Sequence, residues 1–533
     1  MRPQANAGSH PQQGTLPKNV IVFDTTLRDG EQTPGVNVSA DKKFELAVAL
    51  DDLGVDVIEA GFPASSDGER ELFGRLSKQG LNAKVCGLCR ASKADIDAAI
   101  DSGANYVHVF LATSELHMKY KLKMTPQEVL AKVIESVSYV RSRGVPCEFS
   151  AEDASRSDIG FLKQVYVAAR DSGACMLNVP DTVGVSSPSQ YASLIRQIRE
   201  ATNTPISVHA HNDFGLAVAN TLAGVEAGAS QVQVTINGLG ERAGNAALEE
   251  TVMALSQIYG VKTGIKQDKL YEISQQVSRA TRVWPSPNKA IVGDNAFSHS
   301  SGVHVHGVLS HALAYEPFEP EVVGRHRRIV LGKLTGTNAV KNALENMGFG
   351  IDDEKVKAVT AKVKAIGDTG RRVHDFELAA MAREALGIEA RKRLVLEQVL
   401  ISTGNNIVPI ASVKARMDGQ ERMFCATGAG PVDAAMVALS QVSDSHGNFK
   451  LDDYKLVALS EQSSAQCEVT VTVEDAMGNS CTGFAVSPDI VMASVRAMAD
   501  GINHLLSQEK SASEGKGAKI ENNQRPQACK SGE

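Results

Sequence analysis

The sequence predicts an α/β chain: a (β/α)8 TIM barrel, then a helical linker or lid region, then a C-terminal α+β domain with an internal pseudo-repeat. Three observations carry this. Between residues 20 and 237, eight short β-rich runs alternate with amphipathic stretches, the length and repeat of a closed barrel of about 250 residues. No G-x-G-x-x-G follows the first run, so the phosphate-binding turn of an open doubly wound sheet is missing. From residue 393 the pattern changes to closely spaced strands, with a helix after every third.

The elements follow in order. The barrel runs are "VIVFD" (20 to 24), "DVIEAG" (56 to 61), "KVCGL" (84 to 88), "YVHVFLA" (106 to 112), "PCEFSAE" (146 to 152), "CMLNVPD" (175 to 181), "ISVHAHN" (206 to 212) and "QVQVTIN" (231 to 237). Segments between them carry helical spacing and end in Gly, as in "DKKFELAVALDDLG" and "TPQEVLAKVIESVSYVRSRG". Residues 265–392 read as helical, with "DKLYEISQQVSRATRVW", "NAVKNALENMGFG" and "DDEKVKAVTAKVKAIGDTG" flanking an irregular Gly-, His- and Ser-rich stretch near 285–335. Long loops of that kind are more often functional than idle. In 393–508, "VLEQVLISTG", "ASVKARMDG" and "RMFCATG" lead into the helix "PVDAAMVALSQV". Then "YKLVALSEQ", "CEVTVTVED" and "CTGFAVS" lead into "PDIVMASVRAMADGINHLL". The expected divisions are a disordered leader (1–18), the barrel (19–264), the linker or lid (265–392), the C-terminal domain (393–508) and a polar, disordered tail (509–533).

Bulk properties bound the function. A chain of 533 residues is too long for one ordinary core, which supports this division. A net charge of -7 gives no reason to expect nucleic acid or an anionic membrane as partner. No apolar run is long enough to span a bilayer, and the leader lacks the apolar core of a secretory signal, so a cytoplasmic location is expected. Cysteines at 86, 89, 147, 175, 425, 467, 481 and 529 lie mostly in apolar runs, which suits reduced thiols. Cys86 and Cys89 face opposite sides of one strand, and no second pair completes a zinc site.

Alternation along "SVHAHND" (207 to 213) puts His209 and His211 on one face. If that face looks inward, both imidazoles stand at the C-terminal rim, where barrel active sites lie. Other runs share the preference: Glu148, Ser150 and Glu152; Asn178 and Thr182; Gln233, Thr235 and Asn237; Glu59 with Gly61. So many inward polar groups are costly unless a site needs them. Asp29 in "DTTLRDGEQ" can add an oxygen ligand and Arg28 a fixed cation, while Asn245 in "GLGERAGNAALEE" offers an amide oxygen. This mixed N/O set suits Zn, Mn, Mg or Co without choosing among them. A divalent ion beside an arginine is a clamp for a 2-oxo acid, and the polarised ketone then awaits a carbon nucleophile and a base.

"FDTTLRDGEQTPGVNVS", "IEAGFPASSDGE", "FSAEDASRSD", "NVPDTVG", "HAHNDFGLAVANTLAGVEAGA", "GLGERAGNAALEE" and "FSHSSGVHVHGVL" together resemble the 2-isopropylmalate synthase group of acyl-CoA-condensing enzymes, which includes citramalate and homocitrate synthases. The likeness runs from about residue 20 to 508. It implies a Claisen-type condensation of acetyl-CoA with a small 2-oxo acid, followed by thioester hydrolysis. It also implies a divalent metal held by Asp29, His209, His211 and Asn245, with a monovalent cation such as K as activator. Arg28 and Thr182 would bind the 2-oxo acid, with His108 in the substrate shell or simply satisfied inside the barrel. Arg28, Glu152, His304 and Tyr315 would form the catalytic apparatus. His304 would be the base, tuned by Glu152 and delivered with Tyr315 from the lid of the partner subunit in a homodimer; His306, two residues on, is expected to be a lid or surface residue. The C-terminal domain would be the allosteric and dimerisation module, with the helix start after Gly428 and Gly430 of "ATGAGPVDAA" receiving the carboxylate of a leucine effector and Asp433 a further residue of the same allosteric site.

One departure stands out: relatives often carry a histidine where "LGKLTG" has Leu334. "EAGFP", "GLCRAS" and "ATSELHMKYKLKM" resemble the branch that uses 3-methyl-2-oxobutanoate in leucine biosynthesis. Citramalate formation from pyruvate, with isoleucine as effector, is the second reading. Homocitrate formation is third, since no additional basic residue for a distal carboxylate stands out. A lyase on the same barrel predicts a shorter chain, and a non-catalytic amino-acid sensor predicts an eroded metal set.

Overall fold

In the computed structural model, residues 16–368, 373–388, 393–442, 449–458 and 466–517 are described. Eight parallel strands close on themselves: β1 (Ile21–Asp24), β2 (Val57–Gly61), β3 (Lys84–Arg90), β4 (Tyr106–Ala112), β5 (Cys147–Glu152), β6 (Met176–Asp181), β7 (Ile206–Ala210) and β8 (Gln231–Val234). The seam is β1 against β8, with Ile21 opposite Gln231 and Asp24 opposite Val234. Each predicted barrel run is a strand, displaced by at most a few residues at its ends.

The helices that follow the first six strands begin at a capping residue and turn one apolar face to the barrel. Ser39, Ser66, Ser92, Thr125, Asp158 and Ser187 each accept a backbone N–H of the first helical turn, a cap stabilising by about 1 kcal/mol. Thr125 and Ser187 complete capping boxes with Glu128 and Gln190 ahead of a proline. On the helix Pro126–Ser142, Val129, Val133, Val137 and Val140 repeat at helical spacing and are fully buried against the barrel.

Lys43, buried on the first helix, ties two rim loops together. Its Nζ lies 2.8 Å from Glu31 of the β1 loop and 2.6 Å from Glu69, which also accepts Phe62 N–H. The left-handed Gly61 has no space for a side chain beside that pair. Lys43→Met is expected to lower stability by about 3 kcal/mol, since two partly buried carboxylates lose their cation; the shift of the denaturant midpoint measures it.

Inside the barrel lies a polar column. Glu148 accepts hydrogen bonds from Gln231 Nε2 and Gln233 Nε2, both at 2.8 Å, and from the Tyr106 hydroxyl at 3.3 Å. Burial pushes the Glu148 carboxyl up.

Residues 1–382 form one unit and 383–533 a second. At the start of the expected linker or lid region, the helix Leu270–Thr281 buries Leu270, Ile273 and Val277 in the barrel's own core. Beyond it lie a parallel pair, Ser298–His299 with Arg328–Ile329, and the helices Gly302–Ser310, Thr337–Asn346 and Asp353–Asp368. Buried Glu316 fastens this region, meeting His299 Nε2 at 3.0 Å and Arg327 Nε at 2.7 Å.

The second unit repeats one motif. Leu394–Gly404, Ile407–Met417 and Gln420–Thr427 form an antiparallel sheet followed by the helix Pro431–Ser440. Lys450–Ala458, Cys467–Glu474 and Ser480–Ser487 form the other, followed by Ile490–Gly517. Both sheets alternate inward and outward residues, so Val413, Ala415, Val469 and Val471 join Leu439, Met498 and Ile502 in one core.

Two expected ends need correction. The leader is not disordered to residue 18, because Leu16 packs on the barrel core and Lys18 O accepts Lys262 N–H at 3.1 Å; its first fifteen residues lie outside those described. The tail does not begin at 509, because the last helix continues to Gly517. Its Ser, Glu, Lys and Ala residues contain no proline to stop it. Residues 518–533 lie outside those described.

Candidate active site

At the C-terminal rim, β1 ends in buried Asp24, which accepts both the backbone N–H (2.9 Å) and the hydroxyl (2.8 Å) of Thr26. This turn places Arg28 and Asp29 over the barrel mouth. From β7, His209 and His211 point to the same spot: their Nε2 atoms are 3.1 Å apart, and Asp29 Oδ2 lies 3.4 Å from the first and 3.8 Å from the second. Ligands bound at about 2.1 Å in tetrahedral or octahedral geometry stand about 3.0–3.4 Å apart, so this triangle has the size of a metal's coordination face. All three side chains are buried.

The electrostatics agree with that use. Burial works against the Asp29 carboxylate, but the Arg28 guanidinium and the two imidazoles outweigh it and hold its pKa well below the usual range. Burial, then neighbouring His209, brings His211 down to about 4, against the pull of Asp29. His211 is thus neutral near pH 7 with a lone pair to give. A fourth donor stands behind: Asn245 bridges to the His211 backbone and donates Nδ2 to Leu239 O at 3.0 Å, which leaves its buried Oδ1 unpartnered. The Asp29, His209 and His211 donors fit one face of a divalent ion, and Asn245, bridged to His211 through the backbone, has an amide oxygen to offer.

Arg28 is aimed by a carboxylate below it. Its Nε donates to Glu59 Oε2 at 2.6 Å, and Nη1 lies 3.4 Å from Asp29. Glu59 also accepts the Thr25 hydroxyl at 2.6 Å and faces His108 Nδ1 at 2.6 Å. Burial would raise the Glu59 pKa, yet Arg28 and His108 take it down to about 2. The chain of contacts continues from His108 Nε2 to Ser150 Oγ (2.6 Å) and from Asn178 Nδ2 to the same oxygen (2.7 Å). His108 therefore has both nitrogens engaged and still lines the pocket. Thr182 lines it too, its hydroxyl oxygen accepting Asp153 N–H at 3.0 Å. Leu88 of β3, Phe110 of β4 and Pro180 of β6 supply the apolar lining.

Residues 19–277 match the HMGL-like family, residues 291–371 the homocitrate synthase post-HMGL domain-like family, and residues 372–506 the LeuA allosteric (dimerisation) domain. The 2-isopropylmalate synthase of Methanocaldococcus jannaschii is 50% identical over 92% of this chain and 96% of its own. The chain belongs to the 2-isopropylmalate synthase family. A probable 2-isopropylmalate synthase of Methanopyrus kandleri is 48% identical over 92% of this chain and 99% of its own. The (R)-citramalate synthase of M. jannaschii is 46% identical over 91% and 99%. Among solved structures, the HMG-CoA lyase of Bacillus subtilis superposes with a TM-score of 0.47 at 21% identity, over 51% of this chain and 97% of its own.

In this member of the 2-isopropylmalate synthase family, the structure brings together Arg28, Asp29, His108, Glu152, Thr182, His209 and His211 around one pocket. It does not bring His304 or Tyr315 there. Those two stack on each other, ring centroids 4.2 Å apart, and His304 is exposed. Gly307, one turn on, has no room for a Cβ beneath the Tyr315 ring. His306 is exposed, and so is Leu334, on a loop whose backbone packs on Gly302 at the start of the same helix. Within one chain Glu152 meets Lys121 and not His304. In the second unit, Asp433 accepts Ala429 N–H at 2.8 Å, Gly428 sits too close to Ala434 N for a side chain, and Gly430 caps the helix in open space.

Sequence reasoning placed Glu59, Ser150 and Asn178 on inward faces but gave them no role. It missed the Arg242–Asp213 pair entirely. Arg242, with left-handed backbone, contacts Asp213 at 2.7 Å and Thr182 O at 2.9 Å, pinning three rim loops together. The only trace in sequence was "ERAGN", a loop without a local partner.

Proposed function

We propose that the chain condenses acetyl-CoA with 3-methyl-2-oxobutanoate and hydrolyses the thioester, giving 2-isopropylmalate and CoA, as a cytoplasmic homodimer inhibited by leucine. The observation that carries this is the buried triangle of Asp29, His209 and His211 beside a guanidinium locked by Glu59. When bound, a divalent ion (Mn, Zn, Mg or Co) supplies Lewis-acid polarisation of the ketone. Arg28 pairs with the 2-oxo acid carboxylate, and Thr182 offers its hydroxyl hydrogen, its oxygen being held by Asp153 N–H. His304, brought by a second chain, removes the methyl proton of the thioester, with Glu152 orienting it and Tyr315 beside it. Exposure of His304 and Tyr315 in one chain supports delivery in trans. The turn at Gly428, Gly430 and Asp433 would take the effector, and the match to a LeuA allosteric (dimerisation) domain supports that reading.

The pocket lining favours a branched substrate: Leu88, Phe110 and Pro180 present apolar surface, and no lining lysine or arginine belongs to their strands. Citramalate formation remains the second reading, favoured by the 46% identical citramalate synthase relative. Leu88→Phe is expected to cut kcat/KM for 3-methyl-2-oxobutanoate by about 10- to 200-fold, the discrimination one to a few methyl groups allow, with a smaller loss for pyruvate. The test of the function is CoA release, followed with a thiol reagent, comparing 3-methyl-2-oxobutanoate, pyruvate and 2-oxoglutarate, with and without leucine or isoleucine. Preference for the first, suppressed by leucine, is the expected result. Preference for pyruvate moves the chain to citramalate formation, and no release with any of them overturns the proposal.

A further inference from the structure

The loop after β4, "SELHMKYKL", has no residue with an assigned role above, yet its Lys121 lines the pocket. A short helix, Glu115–His117, capped by Ser114, runs into a single π turn, Met118–Leu122, closed by left-handed Lys123. Widened turns of this type are frequent at functional sites, because they turn a side chain out of helical register. Here the turned side chain is Lys121. Its Nζ contacts both oxygens of Glu152, at 2.6 and 2.8 Å. His117, one turn earlier on the same face, places Nδ1 3.6 Å from the same carboxylate and Nε2 3.9 Å from Asp153 Oδ2. His117 Nδ1 and Asp153 Oδ2 are both buried and have no hydrogen-bond partner. Glu152 O accepts Thr113 N–H at 3.1 Å, so the end of β5 is held from its backbone as well.

We infer that Lys121, assisted by His117, is a positioning residue that fixes the Glu152 carboxylate at the pocket mouth for the incoming base. An exposed lysine–glutamate pair is ordinarily worth little. This pair differs in two respects: the contact spans both carboxylate oxygens, and the Glu152 side chain is only 18% exposed. A carboxylate at a pocket mouth otherwise samples several rotamers, and each wrong one misplaces whatever it orients. The clamp selects one, and the Lys121 side chain itself stays half exposed. The inference rests on the proposed role of Glu152 in the condensation.

The test uses the full-length protein with saturating metal, acetyl-CoA and 3-methyl-2-oxobutanoate. Lys121→Met is expected to lower kcat about 10- to 100-fold, at or below the range for losing general acid–base assistance, with both KM values within about threefold. Lys121→Arg should recover most of that loss. In a Glu152→Gln background, Lys121→Met should have no further effect, because Lys121 acts through Glu152. Multiplying effects, or a raised KM for acetyl-CoA at unchanged kcat, would instead make Lys121 a direct contact for the CoA phosphates and overturn the clamp. Arginine performing no better than methionine would also overturn it. A resting-state readout separates this from the activity itself. With lysines carrying 13C-methyl labels, the resonance lost in Lys121→Arg should move in Glu152→Gln. If it stays in place the clamp is wrong whatever the turnover. If it moves while the unaltered protein releases no CoA with any 2-oxo acid, the synthase reading fails and the clamp stands.

Discussion

His211→Ala is expected to reduce CoA release by about a thousandfold or more. Lewis-acid stabilisation by a bound ion contributes several kcal/mol, and each 1.36 kcal/mol is about tenfold in rate. The loss should be chemical rather than structural. Neither imidazole has a hydrogen-bonded Nδ1, so the polar contacts of these rings are confined to the triangle itself. Metal content at equilibrium dialysis should fall with activity, while the denaturant midpoint stays near that of the unaltered protein. Asp29→Asn keeps the shape and removes the charge, and should lose metal similarly, because Asp29 is the one anionic donor of the set. Retained metal with lost turnover would show that the triangle is not the binding face.

Glu59→Gln is expected to have the largest effect on stability, lowering it by about 3–5 kcal/mol, the usual result when a buried ion pair loses one partner. Glu59 is fully buried and serves Arg28, Thr25 and His108 together. An amide cannot neutralise the guanidinium, so Arg28 should also lose its aim, raising KM for the 2-oxo acid by tenfold or more. The pH dependence has a definite sign. The Glu59 carboxyl sits near 2 in the fold against an ordinary 4.5. Its contribution is complete above about 4.5 and is lost as pH falls toward 2. The variant's stability should therefore fall less steeply across that window, as denaturant midpoints between pH 5 and 3 would measure.

The barrel was legible because β2 to β6 each sit between a terminal glycine and a capped helix, and those signals are local. Strand alternation likewise put His209, His211 and Glu59 on inward faces without any structure. What could not be read was distance across the barrel. That Glu59 holds Arg28 and His108 depends on β1, β2 and β4 meeting at one level, and no spacing in the chain encodes it. The placement of Lys121 depends on a single π turn, a widening that helical periodicity averages away. Arg242 meets Asp213 only because two rim loops fold toward each other. The His304–Glu152 pairing expected from the family is absent within one chain, where His304 lies against Tyr315.

The rim divides its labour by strand. The predicted metal donors come from β7 and from the segments that follow β1, β7 and β8, whereas Leu88, Phe110 and Pro180 come from β3, β4 and β6. The apolar lining at three positions can therefore change size without touching a predicted ligand. The same separation tells a protein engineer where to randomise: a library confined to those three positions explores substrate range while the neighbouring His108 and Asn178 of the same strands stay fixed.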